Sequence, residues 1–140
     1  MPAMRIEHVN VTVRNPEQTA ALLQSIFGWQ VRWQGAARDG GRTIHLGTRD
    51  HYIALYTGQD ASYTAADFAK SQPLNHIGVE VDDLDATETL VVAAGLKPFS
   101  HDDYVPGRRF YFFDPDGIEY EVVSYATAVS TKLGEAAAIG

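Results

Sequence analysis

Two histidines occupy matching places in two similar stretches. Ile6-Glu7-His8-Val9-Asn10-Val11-Thr12-Val13 returns 68 residues later as Leu74-Asn75-His76-Ile77-Gly78-Val79-Glu80-Val81. After each histidine, aliphatic residues recur at every second position, which predicts a strand with one apolar face and the imidazole on the other. Near the C-terminal end Glu119, Glu121, Val123 and Tyr125 alternate in the same way. If His76 and Glu121 lie on neighbouring strands, an imidazole meets a carboxylate, and His8 from the first repeat adds a second imidazole. Two histidines and a carboxylate occupy one face of a divalent metal ion and leave positions open for substrate oxygens. By count alone, three such residues among five His and 18 acidic residues do not make a metal site; the internal repeat is what favours one. The chain has no cysteine, so a disulfide, a thiolate ligand and a thiol nucleophile are excluded.

The elements that must position these side chains also come twice. Asn15-Pro16-Glu17-Gln18 predicts a helix start, with Asn15 as cap, Pro16 at the first position and Gln18 completing a capping box. Leu22, Leu23, Ile26 and Phe27 form its apolar stripe, and Gly28 is a left-handed stop. Strands are predicted over 29–34, 42–46 and 52–57, with a turn at 36–41. In the second repeat, Asp82-Asp83-Leu84-Asp85 starts a helix with a capping box from Asp85 to Glu88. Leu90, Val91 and Ala94 form its stripe and Gly95 stops it. Strands over 97–99, 109–113 and 118–125 follow, with a loop at 101–107 and a turn at Asp114-Pro115-Asp116-Gly117. Aligning Gly28 with Gly95 sets an offset of 67, which pairs 43–46 with 110–113 and Ala54 with Glu121.

The expected class is therefore α+β, with two βαβββ modules in a single domain: module one over about 5–57, a linker over 58–73 with a turn of helix around 65–69, module two over 74–125 and a loose tail over 126–140. A chain of 140 residues, 45% hydrophobic, is long enough to bury a core. Its net charge of -7 argues against nucleic acid and anionic membranes as partners. No apolar run reaches the roughly 20 residues that span a bilayer, and no signal-peptide pattern opens the chain, so a cytoplasmic location is expected.

The run from His8, the helix ending Phe27-Gly28, His76-Ile-Gly-Val-Glu-Val, and Phe110-Tyr-Phe-Phe-Asp114-Pro115-Asp116-Gly117 with Glu121 four residues on resembles the vicinal oxygen chelate superfamily. This group comprises glyoxalases, bleomycin resistance proteins and extradiol dioxygenases, and the resemblance covers about residues 5 to 125. It implies a curved mixed sheet forming a half-barrel cup, helices on its outer face, and a divalent metal (Fe, Mn, Zn or Ni) held by His8, His76 and Glu121. It also implies a homodimer in which His8 of one chain joins His76 and Glu121 of the other. Four-ligand members carry a Glu where this chain has Ala54 in Ile53-Ala54-Leu55, which points away from lactoylglutathione lyase chemistry. Lyase or isomerase, dioxygenase and thiol-transferase reactions on a small oxygen-chelating substrate stay open. So does a metal-free protein that binds a small molecule or drug in an aromatic cup.

Other residues are candidates for lining that cup. Tyr52 and Tyr56 share the face of Ala54; the Tyr56 hydroxyl is a catalytic candidate in place of the absent carboxylate, against ordinary aromatic lining. Glu119 is a candidate base, against a solvated role at a strand's start. Asn10 follows His8 on its face and is expected to orient a ligand. Phe110 and Phe112, with Trp29 and Trp33, are expected to stack on flat ligands. His101 and Tyr104 stand as mouth-of-pocket candidates, and Arg109, beside Arg108, as a clamp for an anionic substrate. Ser100-His101-Asp102 is not a hydrolase triad, because consecutive residues cannot converge in that way. His45 and His51 receive no role.

Overall fold

The computed structural model describes residues 5–60, 62–64, 67, 74–104 and 107–125. The expected tail at 126–140 and most of the helical turn expected around 65–69 lie outside them. The chain divides into two compact units, Met1–Asp67 and Phe68–Gly140.

The first unit contains β1 (His8–Thr12), α1 (Pro16–Phe27), β2 (Gln30–Ala36), β3 (Arg42–Gly47) and β4 (Tyr52–Thr57). Its sheet is open and four-stranded, in the order β1-β4-β3-β2, with β1 parallel to β4 and the other pairs antiparallel. The second unit repeats the plan: β5 (Ile77–Glu80), α2 (Leu84–Ala93), β6 (Phe99–Tyr104), β7 (Gly107–Phe113) and β8 (Glu119–Tyr125), in the order β5-β8-β7-β6. The twofold βαβββ plan is thus as the sequence indicates.

Local chemistry explains the helices. Asn15 Oδ1 accepts from Gln18 N at 3.1 Å, Pro16 opens α1, and Gly28 closes it at φ 72°. In α2 the cap is Asp83, whose carboxylate accepts from Ala86 N at 3.0 Å, so the capping box expected between Asp85 and Glu88 does not form. Gly95 N bonds to Val92 O and Leu96 N to Val91 O, with Gly95 at φ 85°; this paired pattern satisfies the last carbonyls of the helix.

In each unit the helix covers one face of the sheet. Under α1 lie Val11, Ile44, Leu46, Ile53 and Leu55, with Leu23 and Ile26 from the helix. Under α2 lie Val79, Phe110, Phe112, Tyr120 and Val122, with Leu84 and Val91 from the helix. Leu90, expected in that stripe, is exposed instead, because the buried side of α2 runs through Leu84, Thr87 and Val91. The loop expected at 101–107 is mostly strand β6, which hides from pattern reading behind a register irregularity between Phe99 and Asp102. Among the described residues no helix is long and apolar enough to cross a membrane.

Candidate functional site

The chemistry-bearing residues of each unit sit on the sheet face turned away from its helix. In the second unit His76 Nε2 lies 3.1 Å from Glu121 Oε1, and Arg109 Nη1 donates to Glu121 Oε2 at 2.8 Å. Glu121 and Arg109 are both largely buried. His76 Nδ1 donates to Asn75 Oδ1 at 2.7 Å. Tyr111, paired with Glu121 in the ladder, sets its ring edge-on to His76 at 5.9 Å.

The turn between β7 and β8 fixes the register that brings Glu121 into place. Asp114 Oδ1 accepts from Asp116 N at 2.9 Å and Ile118 N at 3.0 Å, and Gly117 takes φ 82°. Burial pushes the Asp114 carboxyl up to about 6, against the backbone N–H groups that favour its charged form.

The matching face of the first unit is built from rings. His8 on β1 stacks on Tyr52 of β4 with centroids 4.7 Å apart and planes 6° apart; Tyr52 stacks on His45 of β3 at 4.5 Å; His45 meets Trp33 of β2 at 5.0 Å. A register shift between Val31 and Trp33 bulges β2 and re-aims its side chains. Arg32 sets its guanidinium 4.5 Å from the centre of the Tyr52 ring. His8 Nδ1 donates to Glu7 Oε1 at 2.9 Å, so both repeated histidines are steadied by the residue before them. Burial, then the charges of His8 and Arg32, hold His45 below the ordinary imidazole range, while Glu7 opposes.

Ala54 is buried in the ladder between Asn10 and His45. Asn10 is exposed on the His8 face. Tyr56, on that face too, donates its hydroxyl to Asp39 Oδ2, which raises the phenol above its usual value. That hydroxyl is therefore engaged in tying the β2–β3 turn to β4. Glu119 is buried beside Phe113 in the ladder, not solvated.

Three expectations are corrected. Phe110 and Phe112 are fully buried on the helix side; the residues sharing a face with Glu121 are Arg109, Tyr111 and Phe113. The repeat offset is 68 between β1 and β5 and 67 between β4 and β8, but 66 between β3 and β7. Applying 67 throughout slips β7 by one residue, and such a slip moves every side chain to the other face. His101 bonds to Glu88 of α2 at 2.7 Å and stacks on Phe110, so it belongs to the helix side and not to a pocket mouth. Arg109 is committed to Glu121, and Arg108 pairs with Asp85, so neither offers an open clamp. The Tyr104 side chain lies outside the described residues. Sequence reading missed His45, Arg32 and Tyr111; the three ladder registers, taken separately, would have found His45 and Tyr111.

Within each unit, no group of three or more His, Asp or Glu side chains among the described residues is gathered closely enough to hold a metal ion by itself. The His76–Glu121 pair nonetheless fits a share in one. A neutral imidazole has one proton to give: carried on Nε2 it bonds Glu121 directly, and carried on Nδ1, toward Asn75, it leaves the Nε2 lone pair able to ligate a cation beside the carboxylate. Two ligands about 2.1 Å from one ion at right angles stand roughly 3 Å apart, which the His76–Glu121 distance matches.

Solved structures share the fold. A glyoxylase/bleomycin resistance protein/dioxygenase domain from Frankia sp. EAN1pec is 21% identical, with a TM-score of 0.76 over 89% of this chain and 100% of that one. The fosfomycin resistance protein FosX from Listeria monocytogenes, complexed with Mn(II) and sulfate, is 18% identical with a TM-score of 0.68 over 91% and 97%. FosX from Mesorhizobium loti is 22% identical with a TM-score of 0.65 over 94% and 99%. No curated protein sequence matches. A family model matches residues 5–122, and the chain belongs to the Glyoxalase/Bleomycin resistance protein/Dioxygenase superfamily.

Proposed function

We propose that this protein is a divalent-metal enzyme acting on a small molecule that presents two neighbouring oxygens, with His8, His76 and Glu121 as the metal ligands. The observation that carries the reading is the His76 Nε2 to Glu121 Oε1 approach of 3.1 Å with Nδ1 of the same ring already bonded to Asn75. The Mn(II) bound by the Listeria relative supports it. When bound, the metal (Fe, Mn, Zn or Ni) supplies Lewis-acid stabilisation of negative charge developing on substrate oxygens.

The chain's own residues do the rest. Glu7 and Asn75 fix the tautomer and aim of the two histidines, as outer partners of ligating imidazoles do. Arg109 balances the second oxygen of Glu121 and fixes its rotamer. Ala54, where four-ligand members carry Glu, leaves a position for substrate. His45, held neutral at neutral pH, is the base on the ring-lined face, able to accept a proton from substrate. Lyase, isomerase, dioxygenase and thiol-transferase steps all fit this arrangement. The protein acts as a homodimer in the cytoplasm, with His8 supplied by the same chain or by a second copy.

Metal counting tests the proposal. Protein loaded in turn with Mn, Fe, Ni or Zn and then desalted is expected to keep about one ion per chain, and His8→Ala, His76→Ala and Glu121→Ala each to lose it. Retention unchanged in all three variants sinks the reading. The ring ladder beside Ala54 favours one rival, a metal-free binder of flat molecules; a chain that takes up none of these metals yet is stabilised by an aromatic ligand would establish it.

A further inference from the structure

The face of the first unit that carries His8 also carries a cation held in an unusual way. Arg42, Arg108 and Arg109 each pair with a carboxylate, respectively Glu17, Asp85 and Glu121. Arg32 instead rests on the Tyr52 ring. No hydrogen bond or ion pair among the described residues engages its guanidinium nitrogens, and Glu7, which feels its charge, is bonded to His8. A contact to the ring face uses none of its N–H groups and leaves the forked donors to a ligand.

Beside it, Trp33 is half exposed yet seated. A Cβ at Gly35 would stand 2.8 Å from Trp33 Cζ2 and 3.0 Å from Cη2, so the indole lies against the glycine on one side and meets His45 on another. Thr43, across the ladder from Gly35, keeps its hydroxyl buried with no partner among the described residues. A half-exposed ring seated on Gly35 and His45, an open fork and a buried hydroxyl with no partner among the described residues thus share one face.

We propose that this face binds a planar aromatic carboxylate, its ring on Trp33 and its carboxylate gripped by Arg32. The inference rests on reading the His8 face as the substrate face, and it names the substrate class. With a net charge of -7 the protein repels anions on average, so selecting one requires a local cation of this kind. A cationic drug is disfavoured here, because the guanidinium already covers Tyr52.

The test uses chelator-stripped, full-length protein and calorimetric titration with naphthoate, neutral naphthamide, cationic naphthamidine and non-planar cyclohexanecarboxylate. Naphthoate is expected to bind most tightly. Arg32→Gln is expected to weaken naphthoate at least about tenfold and to leave naphthamide unchanged, with Arg32→Lys in between because it lacks the fork. Trp33→Ala is expected to weaken both naphthyl ligands. Both side chains are exposed, and circular dichroism checks that the variants fold. Naphthoate binding no tighter than naphthamide or naphthamidine, or unchanged by Arg32→Gln, overturns the proposal. Metal content is counted separately: Arg32-dependent binding in a chain that holds no metal retires the metal reading alone, and one metal per chain without such binding retires this one alone.

Discussion

The two sheets carry the same backbone plan and opposite chemistry. Registered against each other, His8 matches His76, Tyr52 matches Glu119, Ala54 matches Glu121, His45 matches Tyr111 and Trp33 matches Phe99. The second unit concentrates charge around Glu121, between an imidazole and a guanidinium. In the first, the carboxylate position is alanine, and four rings run across four strands. A repeated fold can thus keep one residue in both copies and assign the rest separately: the second unit to holding charge, the first to presenting flat surface.

The largest effect expected from breaking this comparison lies in which face of β7 is the core. Phe112→Ala is expected to cost about 3–5 kcal/mol in chemical denaturation, because the ring is fully buried against Tyr120. Its neighbour Phe113, itself exposed and on the opposite face, is expected to cost less than about 2 kcal/mol as Phe113→Ala. Equal losses would mean that the face assignment is wrong.

Next comes the turn that leads into the last strand of each unit. In the first, Thr48 takes the cap with its hydroxyl, accepting from Asp50 N. In the second, Asp114 does so with a buried carboxylate whose pKa is raised to about 6. A carboxyl whose folded pKa lies above its unfolded value contributes stability that is fully present below about pH 4 and is lost as the pH rises through about 6. A rise of that size sets a ceiling of about 3 kcal/mol on the loss. Asp114→Asn keeps the acceptor for both backbone N–H groups and removes the titration. Stability measured from pH 4 to pH 7 is therefore expected to improve in the variant relative to the parent as the pH rises, and a constant difference would refute the assignment.

The smallest effect is expected at Gly35. Gly35→Ala displaces the Trp33 indole at a cost on the order of 1 kcal/mol, and near-ultraviolet circular dichroism should show a changed tryptophan band. An unaltered band would show that the ring is not seated there.

The fold was largely legible because caps, stops and period-2 alternation all agree with it, from Asn15 and Gly28 to the β4 boundaries at Tyr52 and Thr57. Face parity put His76 and Glu121 on the non-core faces of their strands; that the two strands are neighbours was a condition of the reading, and β5 and β8 do pair. What stayed hidden came from irregular registers. The bulges in β2 and β6 shift side chains in a way that no local propensity records, and one residue of slip in β7 exchanged Tyr111 for Phe112. The roles of Arg32, on the edge strand β2, and of Arg109, on the inner strand β7, were hidden for a different reason: a charged residue in a strand reads the same in sequence whether it solvates, pairs or rests on a ring.

The most direct test of the metal reading is nitrogen-detected NMR of the imidazoles during Zn(II) titration. The Nε2 signals of His8 and His76 are expected to shift to metal-bound values at one equivalent while both Nδ1 sites stay protonated on Glu7 and Asn75. Nε2 signals of His76 that ignore the metal, or that shift equally in Glu121→Ala, would contradict it.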